Sequence, residues 1–138
     1  MMTQQAQGSR VYTVGDELPA VTKVLSQEKI NRYAEASGDH NPLHIDRAFA
    51  ARTQFDGTIA HGMLVLAYIS EMMTEAFGER WLASGRLKVR FRGAARPGDT
   101  VTAAGRIGRM HGGSTLCEVA CRNQAGDVLI SGEAEVRG

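Results

Sequence analysis

With 138 residues, the chain has room for one hydrophobic core and not for two. Its composition, 43% hydrophobic and 22% charged, is that of a soluble folded protein, and a formal net charge of +1 leaves no strong field to draw nucleic acid or an anionic membrane. The opening MMTQQAQGSR lacks the apolar segment of a secretory signal, and the longest apolar run, over residues 63–69, is far too short to cross a bilayer. No nucleic-acid or membrane partner is therefore expected.

Residues 1–9 read as a frayed tail ahead of a single domain over residues 10–138. VTKVL, from Val21, reads as a short strand. Ser26 stands where a helix N-cap belongs, and a helix is predicted from there through about Ala36, with Ile30, Tyr33 and Ala34 turned inward and Gly38 as its stop. Pro42 has no amide hydrogen and disfavours helical geometry at Asn41, so residues 39–43 are predicted as a loop or tight turn. Asp46 can cap a short helix containing Phe49 and Ala50, and residues 53–60 read as a second loop with Gly57 in a turn.

The segment HGMLVLAYISEMMTEAFG, from His61 to Gly78, is apolar on almost every side through Ile69, and Gly78 sits where a C-terminal stop belongs. A helix that is apolar all round is normally buried, so this one is expected at the centre of the fold. From Arg86 the period changes to two. Leu87, Val89 and Phe91 alternate with Arg86, Lys88 and Arg90. Turns at residues 96–99, 111–114 and 123–127 then separate three further strands, carrying Val101, Ala103 and Ile107, then LCEVACR, then VLISGEAEV. Three consecutive hairpin connections predict an antiparallel meander with one buried face. The class is α+β, with the sheet wrapped around the long helix, and its open edges predict a homodimer. Cys117 and Cys121 share one strand, where four residues separate them by roughly 13 Å, too far for a disulfide. They read as reduced thiols of a cytoplasmic protein.

Chemistry concentrates in SGDHNPLHID, residues 37–46. A bend there can bring Asp39 and His44 into one small volume, with Asn41 and Pro42 fixing the turn. Histidine titrates near neutrality and an aspartate can serve as a base, so the pair suits proton transfer. A second polar element, Ala60-His61-Gly62-Met63, opens the long helix. Its first amides lack internal partners and carry the positive end of the dipole, and the amide of Gly62 can bind a carbonyl oxygen that turns negative. Other readings of the same residues stay open. Asp39 and His44 can be turn residues that satisfy backbone groups. His40, His44 and His61 with Asp39 can hold zinc, although Pro42 interrupts the helical spacing of the first two. Ser70 can simply bond the preceding helical turn. Arg86, Lys88, Arg90 and Arg92 can be a solvated strand face or a phosphate contact.

Tyr33 followed by Ser37-Gly38-Asp39-His40-Asn41-Pro42-Leu43-His44, with Ala50 six residues beyond, resembles the hydratase motif of the MaoC-like, (R)-specific enoyl-CoA hydratase family. Ala60-His61-Gly62-Met63-Leu64 resembles that family's next element, and Val14-Gly15-Asp16, Arg90-Phe91 and Pro97-Gly98-Asp99 echo others. Residues 92–96 lack a proline often found there. The resemblance implies a hot-dog fold with paired subunits and the reversible syn addition of water to a trans-2-enoyl thioester. The substrate's carrier would be coenzyme A or acyl carrier protein, with no cofactor and no metal. It implies Asp39 and His44 as the water-activating dyad, Gly62 as the oxyanion amide, Ser70 as support for the dyad and Asn41 as a shaper of the loop. His61, Met63 and Arg90 are candidate substrate contacts. Two other functions compete. A hot-dog thioesterase would place its acid on the central helix, where Glu71 and Glu75 are the candidates. A non-catalytic acyl-thioester-binding subunit would have lost Asp39 or His44, and both are present.

Overall fold

The computed structural model describes residues 10–138; the tail expected over residues 1–9 lies outside them. Strand β1 (Val21–Val24) leads into helix α1 (Gln27–Ser37), whose ends are set by local side chains. Ser26 Oγ accepts from the Lys29 amide at 3.1 Å, and Gly38, in the left-handed region at φ 79°, donates its amide to the Ala34 oxygen at 2.9 Å. Ile30 and Ala34 are buried and Tyr33 is half-buried, as the periodicity predicts.

Two short helices follow, α2 (Pro42–Ile45) and α3 (Arg47–Ala50). The loop expected over residues 39–43 is thus shorter than predicted. Pro42 starts a helix instead of preventing one, because the amide it lacks would have had no partner in a first turn. Asp46 caps α3 as expected, its Oδ1 accepting from the Phe49 amide at 3.0 Å.

Helix α4 (Gly62–Phe77) is the centre of the fold. Val65, Tyr68, Ile69, Met72, Met73, Ala76 and Phe77 are buried, and the helix packs against β1 and three later strands of the sheet. It is not covered all round, however. Met63, Ala67, Glu71 and Glu75, each one turn apart, form an exposed stripe. After Gly78 the chain forms a further helix, α5 (Glu79–Ser84), which the sequence reading passed over. It is built around buried Trp81, whose indole N–H donates to Ser70 Oγ at 2.9 Å.

The remaining strands are β2 (Arg86–Phe91), β3 (Thr100–His111), β4 (Ser114–Arg122) and β5 (Val128–Arg137). All pairings are antiparallel, in the order β1-β3-β4-β5-β2. The β3–β4 and β4–β5 hairpins match expectation. The link from β2 to β3 does not: β2 lies at the far edge against β5, with Arg86 opposite Glu135 and Phe91 opposite Ile130. The turn at residues 96–99 is tied to β1 instead. The Leu25 amide donates to the Asp99 oxygen and the Gly98 amide to the Leu25 oxygen, both at 2.8 Å, so the turn delivers β3 beside β1. β4 takes the other side of β3, and the free side of β5 is left for β2. A Cβ on Gly132 would collide with the Lys88 carbonyl, so glycine lets β2 approach β5 there.

Leu87 and Val89 pack against the core, but Phe91, expected with them, is 54% exposed. Cys117 and Cys121 are free and buried on β4, and burial pushes their thiols up to about 11 and about 12. A five-stranded antiparallel sheet packed on a central helix is the α+β hot-dog arrangement. No helix among the described residues is long and apolar enough to cross a membrane.

Candidate active site

Residues 37–46 fold through a relay of short-range bonds. Ser37 Oγ accepts from the Asp39 amide at 3.2 Å, Asp39 Oδ1 from the Asn41 amide at 3.2 Å, and Asn41 Oδ1 from the Leu43 amide at 2.9 Å. Each short polar side chain serves an amide two residues on, which bends the chain without help from the core. Asn41 therefore uses its oxygen on loop geometry and caps α2.

His44 is half-buried, and its Nδ1 lies 2.9 Å from the Ile59 carbonyl oxygen. A carbonyl only accepts, so Nδ1 carries a proton, which leaves Nε2 as the ring atom free to face a water. The backbone is pinned as well. Gln27 Nε2 donates to the His44 carbonyl at 2.8 Å, and Gln27 Oε1 accepts from the hydroxyl of buried Thr58 at 2.7 Å. Sequence reasoning missed Gln27 and Thr58. Neither belongs to the motif, and no local signal marks them.

His61 is 2% exposed and stands at the N-cap of α4. Its Nε2–H donates to the Asp39 carbonyl at 2.9 Å, and its ring stacks on that of His44 with centroids 3.8 Å apart and planes 27° apart. Its Nδ1 is buried with no partner among the described residues. One ligand atom each from Asp39, His44 and His61 lie within 4.8 Å of one another. A single water spans such a separation with two ordinary hydrogen bonds. Zinc would need nitrogen lone pairs converging on one point about 2.0–2.1 Å away. His40, a further candidate ligand, lies outside this group, 3.4 Å from Glu35.

Gly62 and Met63 follow at the first turn of α4, where amides lack helical acceptors and the dipole is positive. The Phe91 ring lies over Gly62: a Cβ there would come within 2.9 Å of it. Met63 is 57% exposed beside it. The structure does not gather the other candidates. Ser70 is engaged by the Trp81 indole, and no hydrogen bond joins it to Asp39 or His44. On β2, Arg86 and Lys88 sit opposite Glu135 and Glu133, while Arg90 sits opposite Ser131, which accepts from Arg92 Nε at 2.6 Å. The strand alternation puts Arg90 on the face opposite Phe91, away from Gly62. Glu71 pairs with Lys23 at 3.1 Å, and Glu75 is exposed.

Residues 9–128 match the family described as the MaoC like domain. An (R)-specific enoyl-CoA hydratase of Rhodospirillum rubrum is 34% identical over 127 residues, covering 85% of this chain and 82% of the relative. A 3-hydroxybutyryl-CoA dehydratase of Methylorubrum extorquens is 32% identical over 120 residues, covering 83% and 74%. Among solved structures, the unliganded R-hydratase of Pseudomonas aeruginosa superimposes with a TM-score of 0.81 at 28% identity, over 96% of this chain and 84% of that one. With the motif loop, the helix-start element and the fold all in agreement, the chain belongs to the MaoC-like domain family.

Proposed function

We propose that this protein is a cytoplasmic hydro-lyase that reversibly adds water to trans-2-enoyl thioesters, giving (R)-3-hydroxyacyl thioesters on coenzyme A or acyl carrier protein. The observation that carries this reading is the meeting of the Asp39 carboxylate with the His44 and His61 rings, one ligand atom from each within 4.8 Å of the others, next to the open amides of α4. A water held between the pair gives a proton to it, and its oxygen bonds to the β-carbon. The Cα=Cβ electron pair shifts toward the thioester oxygen, where the Gly62 amide stabilises the negative charge. The enolate collapses as the α-carbon takes a proton from the pair. Nothing is oxidised or reduced, so the reaction calls for no redox cofactor. Proton transfer of this kind contributes about 10²–10⁴-fold, and one oxyanion donor about 3 kcal/mol.

The names of the relatives, hydratase and dehydratase, support the same chemistry. Hydrolysis by an acid on the central helix has less support, because Glu71 is tied to Lys23 and Glu75 faces out. A silent binding subunit would have no use for an intact dyad. We assign the working form to a homodimer. Among the described residues the outer edge of β2 is unpaired, and Met63 and Phe91 expose large apolar surface beside Gly62, which a second copy would cover.

The test is hydration of crotonyl-CoA, followed by loss of enoyl-thioester absorbance and by chiral analysis of the product, with Asp39→Asn and His44→Ala in parallel. The expected result is (R)-3-hydroxybutyryl-CoA from wild type only. Unchanged turnover in both variants, or release of free thiol in place of a hydroxyacyl product, overturns the assignment.

A further inference from the structure

We propose that His61 is a positioning residue that holds the dyad and the oxyanion amide in register, in place of the substrate contact expected for it; this rests on the hydration reading above. Three groups must be aligned for that chemistry: the Asp39 carboxylate, His44 Nε2 and the Gly62 amide. His61 touches or adjoins all three. Its Nε2–H holds the Asp39 carbonyl at 2.9 Å, joining the motif loop to the start of α4 across 22 positions of sequence. Its ring covers one face of the His44 imidazole at 3.8 Å, which restrains that ring from turning away from the Ile59 carbonyl. Its own peptide continues into Gly62, so whatever fixes His61 also fixes the direction of the Gly62 N–H. The Tyr33 ring packs against His61 at 4.8 Å and 58°, steadying it from α1.

Burial separates this role from substrate contact. At 2% exposure His61 has no face to offer an acyl chain. Burial also separates the role from ordinary packing. Nδ1 is an acceptor with no partner among the described residues, and a buried lone pair of that kind is unfavourable for folding. An apolar ring of similar shape removes that penalty. Fold and catalysis therefore pull in opposite directions at this position, and they can be measured apart.

The experiment compares His61→Phe, which keeps a ring over His44 but loses the donor, with His61→Gln, whose amide nitrogen falls near the place of Nε2 and restores the donor without the ring. Small misplacements of aligned groups are expected to lower the kcat of His61→Phe for crotonyl-CoA hydration by about 10–100-fold, with KM within about threefold. The Tm of His61→Phe is expected to stay level or rise, and His61→Gln to regain part of the lost kcat. Wild-type kcat in His61→Phe overturns the proposal. So does a raised KM at unchanged kcat, which would mark a substrate contact, or a kcat loss that merely follows a fall in Tm. A second readout does not depend on turnover. Nitrogen NMR of the His44 ring and amide exchange over residues 37–46 should show the fixed tautomer and protection in wild type, loosened in His61→Phe and partly regained in His61→Gln. Failure of wild type on every enoyl thioester would sink the hydration reading while this readout still decides the role of His61. Identical spectra in all three proteins would end the proposal.

Discussion

The two ends of α4 are built on opposite terms. At its start, Gly62 and Met63 are exposed, the first amides lack helical acceptors, and buried His61 carries a lone pair with no partner among the described residues. At its finish, Met72, Met73, Ala76 and Phe77 are sealed in the core, and Ser70 and Trp81 satisfy each other. On the proposed hydration chemistry, one helix thus has a reactive end that sacrifices stability and a packed end that supplies it. Site residues need free valences pointed at a substrate, and a packed core tolerates none.

That division can be broken from either side. The largest effect is expected at the reactive end: Asp39→Asn or His44→Ala should each lower kcat by about 10²–10⁴-fold. At exposed Asp39 the stability should shift by no more than about 0.5 kcal/mol in urea unfolding. A variant that loses activity and stability together would erase the contrast. The packed end should give the mirror image. Phe77→Ala leaves a cavity and should cost about 3–5 kcal/mol, with the folded fraction retaining its kcat. Gly132→Ala tests the edge that carries Phe91 to Gly62. The collision with β2 should cost about 1–3 kcal/mol and speed amide exchange in Arg86–Phe91 before the rest of the sheet.

Cys121 lies between the two ends, its Sγ 3.7 Å from the Val65 oxygen, with Cys117 on the same strand. Their thiols are raised from 9.0 to about 12 and about 11, so the folded state holds these protons more tightly than the unfolded chain does. Their contribution is complete below pH 9.0 and is lost as pH climbs toward 11 and beyond. Over that window each thiol should lower stability by up to about 1.4 kcal/mol per pH unit, and Cys117→Ala should flatten the slope by that share. Below pH 9 neither thiol should react with an alkylating agent unless the protein unfolds. The smallest effect is expected from Gln27→Ala, which removes the support of the His44 carbonyl. A loss of about 0.5–1.5 kcal/mol and a modest fall in kcat would show that the reactive end leans on α1; no change in kcat would confine the contrast to α4 itself.

What could be read from the sequence was what is local. Ser26, Gly38 and Asp46 cap the elements assigned to them, because a cap bonds a backbone group only three or four residues away. Asp39, Asn41 and His44 fall in a bend for the same reason. Most of what the sequence left open is non-local. The placement of β2 depends on β5 offering a free side and on Gly132 admitting it, and no pattern within RLKVRF records either. The hydroxyl of Ser70 goes to Trp81 on α5, a helix of six residues with too little length to show a period. Gln27 and Thr58 reach His44 only once the chain has folded back upon itself.

The sheet order also sets a timetable. The β3–β4 and β4–β5 hairpins join neighbours in the chain and can zip early, whereas Arg86 meets Glu135 and Phe91 meets Ile130 only after β3, β4 and β5 have all been made. Stopped-flow refolding combined with pulse-labelled amide exchange should find the hairpins protected before β2, and the reverse order would refute this. Phe91 reaches Gly62 with β2, so the wall beside that amide is masonry laid only after the hairpins stand.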